Sequence, residues 1–427
     1  MGYPQSVIRG VGDSAITAHQ NYYGVYTQAD WKLTPSITLN LGLRYEFIPP
    51  VYANSLNFGT LLVTRNPNSG QYAGTLLWAG NNPLTGQGPN RGGYGPTLQV
   101  ADPWSFGPRA GLVARLDSKT VLRTGFAIFY DTTFFQEAQD KSGFYPYTNS
   151  QSFSTNNFLP AISLESAGPS YANTAAIGGW AQNPNNLNPY SEQWNLFLQR
   201  ELPGGIQTEA GYVGRESHRL IGYTYFNTAV SPGPGAVQPR RLLPDYGDLK
   251  QGDNIFDANY HSLQLQALKR FNNGIEFHAN YTWGRAMDGQ SSLGETKVQN
   301  PFDRAADYSR SSFDVRQTFQ AAFVYDVPYG RGRQFGSHLP RFGDAIAGGW
   351  SFEGNLRFQT GAPVNVVLGQ DWANVGLSIQ RPDAIGNPNN GPRTTSQWFS
   401  TSAFALPAPY SYGNAGAFIV QADGRRT

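Results

Sequence analysis

Cysteine is missing from this chain of 427 residues, and so is any uninterrupted run of 18 apolar residues. Without cysteine there is no disulfide framework and no cysteine-ligated metal site. Without a long apolar run no transmembrane helix is available, so a membrane protein built from this chain must be a β-barrel. The net charge of +2 is too small to indicate a nucleic-acid partner.

An export leader is also missing from the first residues. The segment MGYPQSVIRGVGD contains no basic stretch followed by an apolar core, so it is not a signal peptide. An exported barrel needs such a leader, and we therefore expect the chain to begin partway through a longer protein. Charged residues make up only 14% of the chain, against about 25% in soluble domains. This composition is typical of a protein wall with lipid on one side and water on the other.

A period of two in hydrophobicity is the strongest pattern in the sequence. Between Ile37 and Phe47 the odd positions are apolar and the even positions are polar or glycine, which predicts a β-strand with one apolar face. Its eleven residues match the roughly 9–11 that a tilted strand needs to cross a bilayer, whereas soluble strands average about 5–6. A tight reversal at residues 33–36 joins it to the alternating stretch before it. We predict a long two-faced hairpin over residues 21–47.

The same pattern occurs in five hairpins joined by long loops rich in Gly, Pro and Asn. The hairpins are predicted at residues 21–47, 107–131, 190–215, 260–283, and 313–327 paired with 348–358. Their connections are short except for the basic one at 328–347, whereas the loops between hairpins cover about 51–105, 132–189 and 219–258. Short turns on one side and long loops on the other are typical of an outer-membrane β-barrel.

These hairpins predict an all-β fold, an antiparallel transmembrane β-barrel of which about ten strands are visible, with long extracellular loops. We divide the chain into an N-terminal lead-in at 1–20, a partial barrel at 21–360, and an extended, exposed loop segment at 361–427 that precedes missing final strands.

Five segments resemble consecutive blocks of a known barrel family. They are YYGVYTQADWKLTPSITLNLGLRYEF, FGPRAGLVARLDSKTVLRTGFAIFYD, NPYSEQWNLFLQRELPGGIQTEAGYVG, YHSLQLQALKRFNNGIEFHANYTWGRAMD and FDVRQTFQAAFVYDVPYG. In this order they resemble the barrel of TonB-dependent outer-membrane receptors, above all the Oar-like branch. The family's plug domain, TonB box, early strands and last strands have no counterpart here, and its barrels have about 22 strands.

The resemblance implies a non-enzymatic transporter in the outer membrane of a Gram-negative-type bacterium. Its extracellular loops would capture a substrate, which would then pass through a plugged lumen. The implied partners are outer-membrane lipid and lipopolysaccharide, the unknown substrate, and the TonB complex, which acts through the plug of the full-length protein. No cofactor is implied.

Two sets of aromatic residues are candidate functional positions. The loop aromatics are ligand-contact candidates, with packing between loops as the alternative: Trp78, Tyr94, Trp104, Phe134, Phe135 and Trp180. The aromatics near strand ends are expected in a membrane-interface girdle, with packing inside a soluble sandwich as the alternative: Trp31, Tyr45, Trp194, Tyr281, Trp283, Tyr325 and Trp350.

Catalytic and metal-binding signals are weak. The five histidines are scattered without metal-ligand spacing, and no nucleophile elbow or phosphate-binding loop is present, so we predict no catalytic residue. Four aspartates are weak calcium candidates, because calcium prefers oxygen ligands from flexible loops: Asp245, Asp248, Asp253 and Asp257. Arg331, Arg333 and Arg341 form a basic connection that could meet periplasmic partners or anionic headgroups, with a solvated turn as the alternative.

Two other functions remain open from the residues alone. One is an outer-membrane adhesin or structural barrel whose loops bind a partner without transport. The other is a soluble all-β carbohydrate-binding module, which predicts that the apolar strand faces are covered by a second sheet.

Overall fold

The computed structural model describes residues 6–131, 135–154, 177–292 and 297–421. Its strands are β1 Ser6–Gly12, β2 Ala18–His19, β3 Tyr23–Thr34, β4 Ile37–Phe47, β5 Tyr52–Ala53, β6 Gly59–Arg65, β7 Tyr72–Trp78, β8 Ser105–Arg115, β9 Thr120–Tyr130, β10 Thr148–Ser154, β11 Gly179–Gln182, β12 Tyr190–Leu202, β13 Ile206–Thr224, β14 Leu249–Asn272, β15 Ile275–Asp288, β16 Ser309–Arg310, β17 Gln317–Asp326, β18 Ser351–Gln359, β19 Pro363–Val364, β20 Asp383–Ala384, β21 Phe404–Ala405 and β22 Val420–Gln421. The α-helices are α1 Phe135–Ser142 and α2 Arg341–Ala347.

Ten long strands form one sheet in the order β18-β17-β15-β14-β13-β12-β9-β8-β4-β3. Every neighbouring pair along this path is antiparallel. The predicted ten strands and the antiparallel all-β fold are therefore confirmed. In the part of the chain described, no helix combines the length and apolar character needed to span a membrane.

Turn chemistry fixes the register of the hairpins. At the β14–β15 connection Asn273 and Gly274 have φ of 54° and 75°. Positive φ at both central residues is the requirement of the type I′ turn, which matches the twist of the flanking strands and favours Asn-Gly. Beyond this turn Ala267 pairs with Ala279 and Leu265 with Tyr281, so the apolar positions of both strands meet on one face.

The two faces of the sheet differ in chemistry where the strands alternate between apolar and polar residues. Register places Leu196 beside Thr124 and Tyr212 on the apolar face, and its neighbour Asn195 on the polar face. Leu196 is 49% exposed and Phe358 63% exposed. Apolar side chains so open to the surroundings are not covered by a second sheet, so the structure contradicts this expectation of the soluble-module alternative. They suit contact with hydrocarbon.

The described sheet is open at both ends of its order. Among the described residues β3 pairs only with β4, and β18 only with β17. β3 and β18 run in opposite directions, because nine antiparallel pairings separate them along the path.

Several predicted boundaries are wrong, and the strands extend further into the loops. The loop expected at 219–258 covers only 225–248, because β13 continues to Thr224 and β14 begins at Leu249. In the fifth hairpin the strands begin at Gln317 and Ser351, later than predicted, and α2 forms part of their connection. Alternation alone cannot locate these ends, because strand pairing continues through polar residues.

The long connections pack into a common loop layer, which we define as the described residues of 48–104, 131–189, 225–248 and 289–316. The connection expected to be a structureless loop at 51–105 contains the hairpin β6–β7. Buried Phe58 and Leu77 pack with Ala138 of α1. A second cluster joins Leu61, Phe144 and Leu243 from three different connections. The loops therefore contain small hydrophobic cores of their own.

We call the final segment, residues 361–421, the strap. Each of its strands, β19 to β22, is two residues long. It was expected to be an exposed loop segment, but it packs against the loop layer. Val375 and Ala373 pack with Ala229. The buried guanidinium of Arg381 lies 2.5 Å from Asp307 and donates to the backbone oxygens of Lys297 at 2.9 Å and Ala415 at 2.7 Å. Charged and apolar contacts together hold the strap to the loops.

Candidate functional site in the loop layer

A cavity of about 770 Å³ opens between the N-terminal lead-in, α1, β11 and the end of β13. The lining residues with polar or aromatic side chains include Gln136, Gln139, Asp140, Ser142, Trp180 and Tyr223. Its size lies within the roughly 300–1,000 Å³ of small-ligand sites. The mixture of amides, hydroxyls, one carboxylate and two aromatic rings is suited to binding a polar ligand.

Asp140 is the charged residue of this cavity wall, and it is 7% exposed. Its Oδ2 accepts hydrogen bonds from the amide of Gln182 and the phenol of Tyr223, both at 2.7 Å. Its Oδ1 accepts one from Gln136 at 3.0 Å. Three donors from α1, β11 and β13 thus fix the orientation of the carboxylate.

Glu137 and Lys141 lie behind Asp140 on the buried side of α1. The ammonium of Lys141 donates to Thr97 O at 3.1 Å and to Gln99 Oε1 at 3.0 Å. Both residues are fully buried. Burial raises the pKa of Glu137 to about 7, although the nearby Lys141 charge opposes this shift. Burial also lowers the pKa of Lys141, against the opposing charge of Glu137.

Trp180 forms the aromatic part of the cavity wall. Its ring lies 4.4 Å from that of Tyr223 in an edge-on arrangement. The Lys250 ammonium lies 4.2 Å from the Trp180 ring centroid and 4.4 Å from that of Tyr225. Such distances are within the range of cation–π attraction. The aromatic side of this site already contacts one cation.

Of the four ligand-contact candidates whose side chains the structure describes, Trp180 lies at this cavity. Trp78 donates its indole N–H to Gly88 O at 2.9 Å, and Tyr94 donates to Asn185 at 3.1 Å while packing on the first loop core. These two contacts follow the alternative of packing between loops. Trp104 is 74% exposed beside Phe106. Phe135 is the first residue of α1, and its side chain, like all of Phe134, lies outside the described residues.

Sequence reasoning missed Asp140, Gln136 and Tyr223. The signal that could have found the first two is their spacing of four, which places both on one face of a helix. No local signal connects α1 with Tyr223, because the two meet only through the pairing of the sheet and the packing of the loops.

The four calcium candidates do not converge. Asp253 accepts hydrogen bonds from Asn183 at 2.9 Å and Thr224 at 3.1 Å. Asp257 lies 3.0 Å from His218, and Asp248 pairs with Arg241. In the described ranges no group of three or more His, Asp or Glu side chains could hold a metal ion. This placement contradicts a calcium site formed by Asp245, Asp248, Asp253 and Asp257.

The predicted girdle residues stand on or beside the apolar strand faces. Trp31, Trp283 and Trp350 are exposed, as is Tyr325 to a smaller extent, whereas Tyr45, Trp194 and Tyr281 are half-buried. The indole of Trp194 covers Gly214, where a Cβ would come within 2.3 Å of the ring, and Tyr45 lies 4.8 Å from Phe106. The depth of these rings in a bilayer stays a prediction.

The polar face carries paired charges and no catalytic arrangement in the residues described. Arg44 pairs with Glu46, and Arg123 of β9 pairs with Glu209 of β13 across the intervening strand β12. On the short-turn side Arg333 lies 3.7 Å from Asp326. The neighbouring Arg331 and Arg341 are exposed, and their partners stay a prediction.

Comparison with known proteins gives the following matches. The family described as "Outer membrane beta barrel domain" matches residues 1–427. No curated protein matches the sequence. Among the similar solved structures is the outer membrane transporter YddB from Escherichia coli, with 10% identity over 83% of this chain and 44% of that chain and a TM-score of 0.42. The apoprotein of the FrpB iron transporter from Neisseria meningitidis matches with 10% identity over 86% of this chain and 38% of that chain, with a TM-score of 0.41. The pyoverdine outer membrane receptor FpvA from Pseudomonas aeruginosa matches with 11% identity over 82% of this chain and 33% of that chain, with a TM-score of 0.41. The chain spans less than half the length of each.

Proposed function

This chain belongs to the outer membrane beta barrel domain family, and on that premise we propose that it forms the barrel portion of a TonB-dependent outer-membrane receptor of the Oar-like branch. The loop layer captures a substrate from outside the cell, and the substrate then enters a lumen occupied by a plug. The energy comes from the TonB complex, which acts on the plug. Outer-membrane lipid and lipopolysaccharide surround the wall.

The observation that carries this proposal is the asymmetry of the molecule. The connections on one side are mostly turns of two to four residues, whereas those on the other contain hydrophobic cores, α1 and the 770 Å³ cavity. In outer-membrane barrels short turns face the periplasm and long loops face outward. An ordered layer with a cavity on the outward side is therefore positioned to meet a substrate first.

The wall supports the same function through its two faces. Exposed Leu196, Leu265 and Phe358 suit lipid, and the polar face with Arg44–Glu46 and Arg123–Glu209 suits a wet lumen. Charge pairs that stay in contact with water contribute little to stability, about 0–1 kcal/mol each. Their position suits contact with water, a plug or a passing polar substrate.

Labelling of single cysteines tests the orientation, since the natural chain contains no cysteine. The chain, exported with a fused signal peptide, is made as Trp104→Cys on the loop side or Arg331→Cys on the short-turn side; both positions are exposed. We expect a membrane-impermeant maleimide to label Trp104→Cys in intact cells, and Arg331→Cys only after the outer membrane is permeabilised. The reverse pattern, or equal labelling of both in intact cells, contradicts capture by the loop layer.

A further inference from the structure

We propose that the cavity between α1, β11 and β13 binds the cationic group of the substrate, an ammonium or guanidinium, between Asp140 and Trp180. This inference rests on the proposed function and names the chemistry of its substrate. It is drawn from the contacts of a buried carboxylate, an aromatic wall and an open volume that meet at one place.

Asp140 is a buried acid whose hydrogen-bond donors are neutral groups. Aspartate is almost never buried without a compensating partner. Here the groups that hold the carboxylate are neutral: the amides of Gln136 and Gln182 and the phenol of Tyr223. Among the described residues no Lys, Arg or His nitrogen lies within 4.0 Å of Asp140 in an ion pair. These hydrogen bonds orient the carboxylate and leave its charge available to a ligand cation.

Lys141, the residue after Asp140, has its hydrogen-bond partners on the buried side of α1. Lys141 follows Asp140 in sequence, but its ammonium points to Thr97 and Gln99 and lies 5.2 Å from the Phe58 ring centroid. Its charge interacts more strongly with the buried carboxylate of Glu137 than with that of Asp140. Lys141 therefore belongs to the buried side of the helix, and Asp140 faces the cavity.

The carboxylate of Asp140 can accept a further hydrogen bond. A carboxylate has about four lone-pair positions. Oδ2 accepts two hydrogen bonds, but Oδ1 accepts one, from Gln136. A ligand N–H can therefore bind Oδ1 without displacing a protein donor. Charge-assisted hydrogen bonds of this type are about twice as strong as neutral ones.

Trp180 provides an aromatic ring in the wall of the cavity. Trp180 lies on the same cavity and is 36% exposed. The Lys250 ammonium lies 4.2 Å from the ring centroid, so a ligand cation would use the part of the ring that faces the cavity and not the part that Lys250 covers. A guanidinium can stack on indole while donating to a carboxylate, because its five N–H groups lie in one plane.

Isothermal titration of the detergent-solubilised full chain tests the inference with matched probes. The small-molecule arm compares the 1-butylguanidinium ion with neutral 1-butylurea. The peptide arm compares N-acetyl-Ala-Arg-Ala amide with N-acetyl-Ala-citrulline-Ala amide, whose blocked N-termini leave the guanidinium as the only charge. We expect the guanidinium probe of at least one arm to bind about tenfold or more tightly than its neutral isostere; the arm that responds identifies a small free cation or a peptide side chain as the source.

Asp140→Asn keeps the shape of the side chain and removes its charge, so we expect the preference for the cationic probe to disappear. Trp180→Leu is expected to weaken the cationic probe more than the neutral one. Asp245→Asn, at an exposed acid in another connection, is the control and should retain wild-type affinities. Equal affinity of both probes in both arms, no binding of either cation, or an unchanged preference in Asp140→Asn overturns the inference.

Failure here is distinguishable from failure of the proposed function. If the cysteine-labelling pattern is as expected and the cationic probes show no preference, the outer-membrane receptor stands and only the substrate class is wrong. If Asp140→Asn does not fold, the comparison of probes on the wild type and on Trp180→Leu still decides the question.

Discussion

Replacing Leu196 by arginine tests whether the apolar face of the sheet meets lipid. Leu196 is the seventh of the 13 residues of β12. Six residues at a rise of about 3.4 Å give about 20 Å to either end of the strand. With a strand tilt of about 40° this distance is about 15 Å along the bilayer normal, which is half of the roughly 30 Å hydrocarbon core. Leu196 therefore lies near the bilayer midplane.

Arginine at the midplane on the lipid face costs about 2–4 kcal/mol in a barrel. We expect Leu196→Arg to lower the free energy of unfolding by this amount, measured by urea titration of the protein in lipid vesicles with tryptophan fluorescence. Asn195→Arg is the matched control, because the adjacent side chain points to the polar face and should cost much less. If Asn195→Arg destabilises as much as Leu196→Arg, or if Leu196→Arg stays within about 0.5 kcal/mol of the wild type, the assignment of faces is wrong.

Two further predictions concern the loop layer. In the folded state the pKa of Glu137 is raised from 4.5 to about 7. Its stabilising contribution is therefore fully present below pH 4.5, and the free energy of unfolding falls by at most about 3 kcal/mol as the pH rises to about 7. Glu137→Gln should remove this loss in unfolding measured at pH 4.5 to 8; a variant that keeps the wild-type slope contradicts the assignment to Glu137. Arg381→Met leaves Asp307 buried without its partner, which costs about 3–5 kcal/mol, so limited proteolysis should cut the strap faster than in the exposed control Arg341→Met. Equal cutting rates would show that Arg381 does not hold the strap.

The hairpins could be predicted because the residues that specify them lie close together in the sequence. Alternation from Ile37 to Phe47 places side chains on two faces whatever the rest of the chain does, and Asn273-Gly274 specifies its own turn. The structure confirms these strands to within a few residues at most ends. The far ends of β13 and β14 were missed because Ser217 to Thr224 and Leu249 to Ala258 lack clear alternation and are ordered by pairing with each other.

Of the described residues that form the candidate site, the sequence analysis named only Trp180. Asp140 joins Gln182 and Tyr223 across 42 and 83 residues of sequence, and no pattern within α1 indicates those partners. The strap illustrates the same limit: Arg381 and Asp307 are 74 residues apart, and each is an ordinary charged loop residue in the sequence.

The sequence by itself determined the all-β wall, its ten strands, its apolar and polar faces, and the side on which the long connections lie. These follow from side-chain period and turn residues, which act over a few positions. Tertiary structure decided that the loops form a packed layer, that the strap is held by Arg381, and that Asp140 faces a cavity beside Trp180. Those features depend on which distant segments exclude water from one another, and burial of a charge or a ring is defined only when the segments meet.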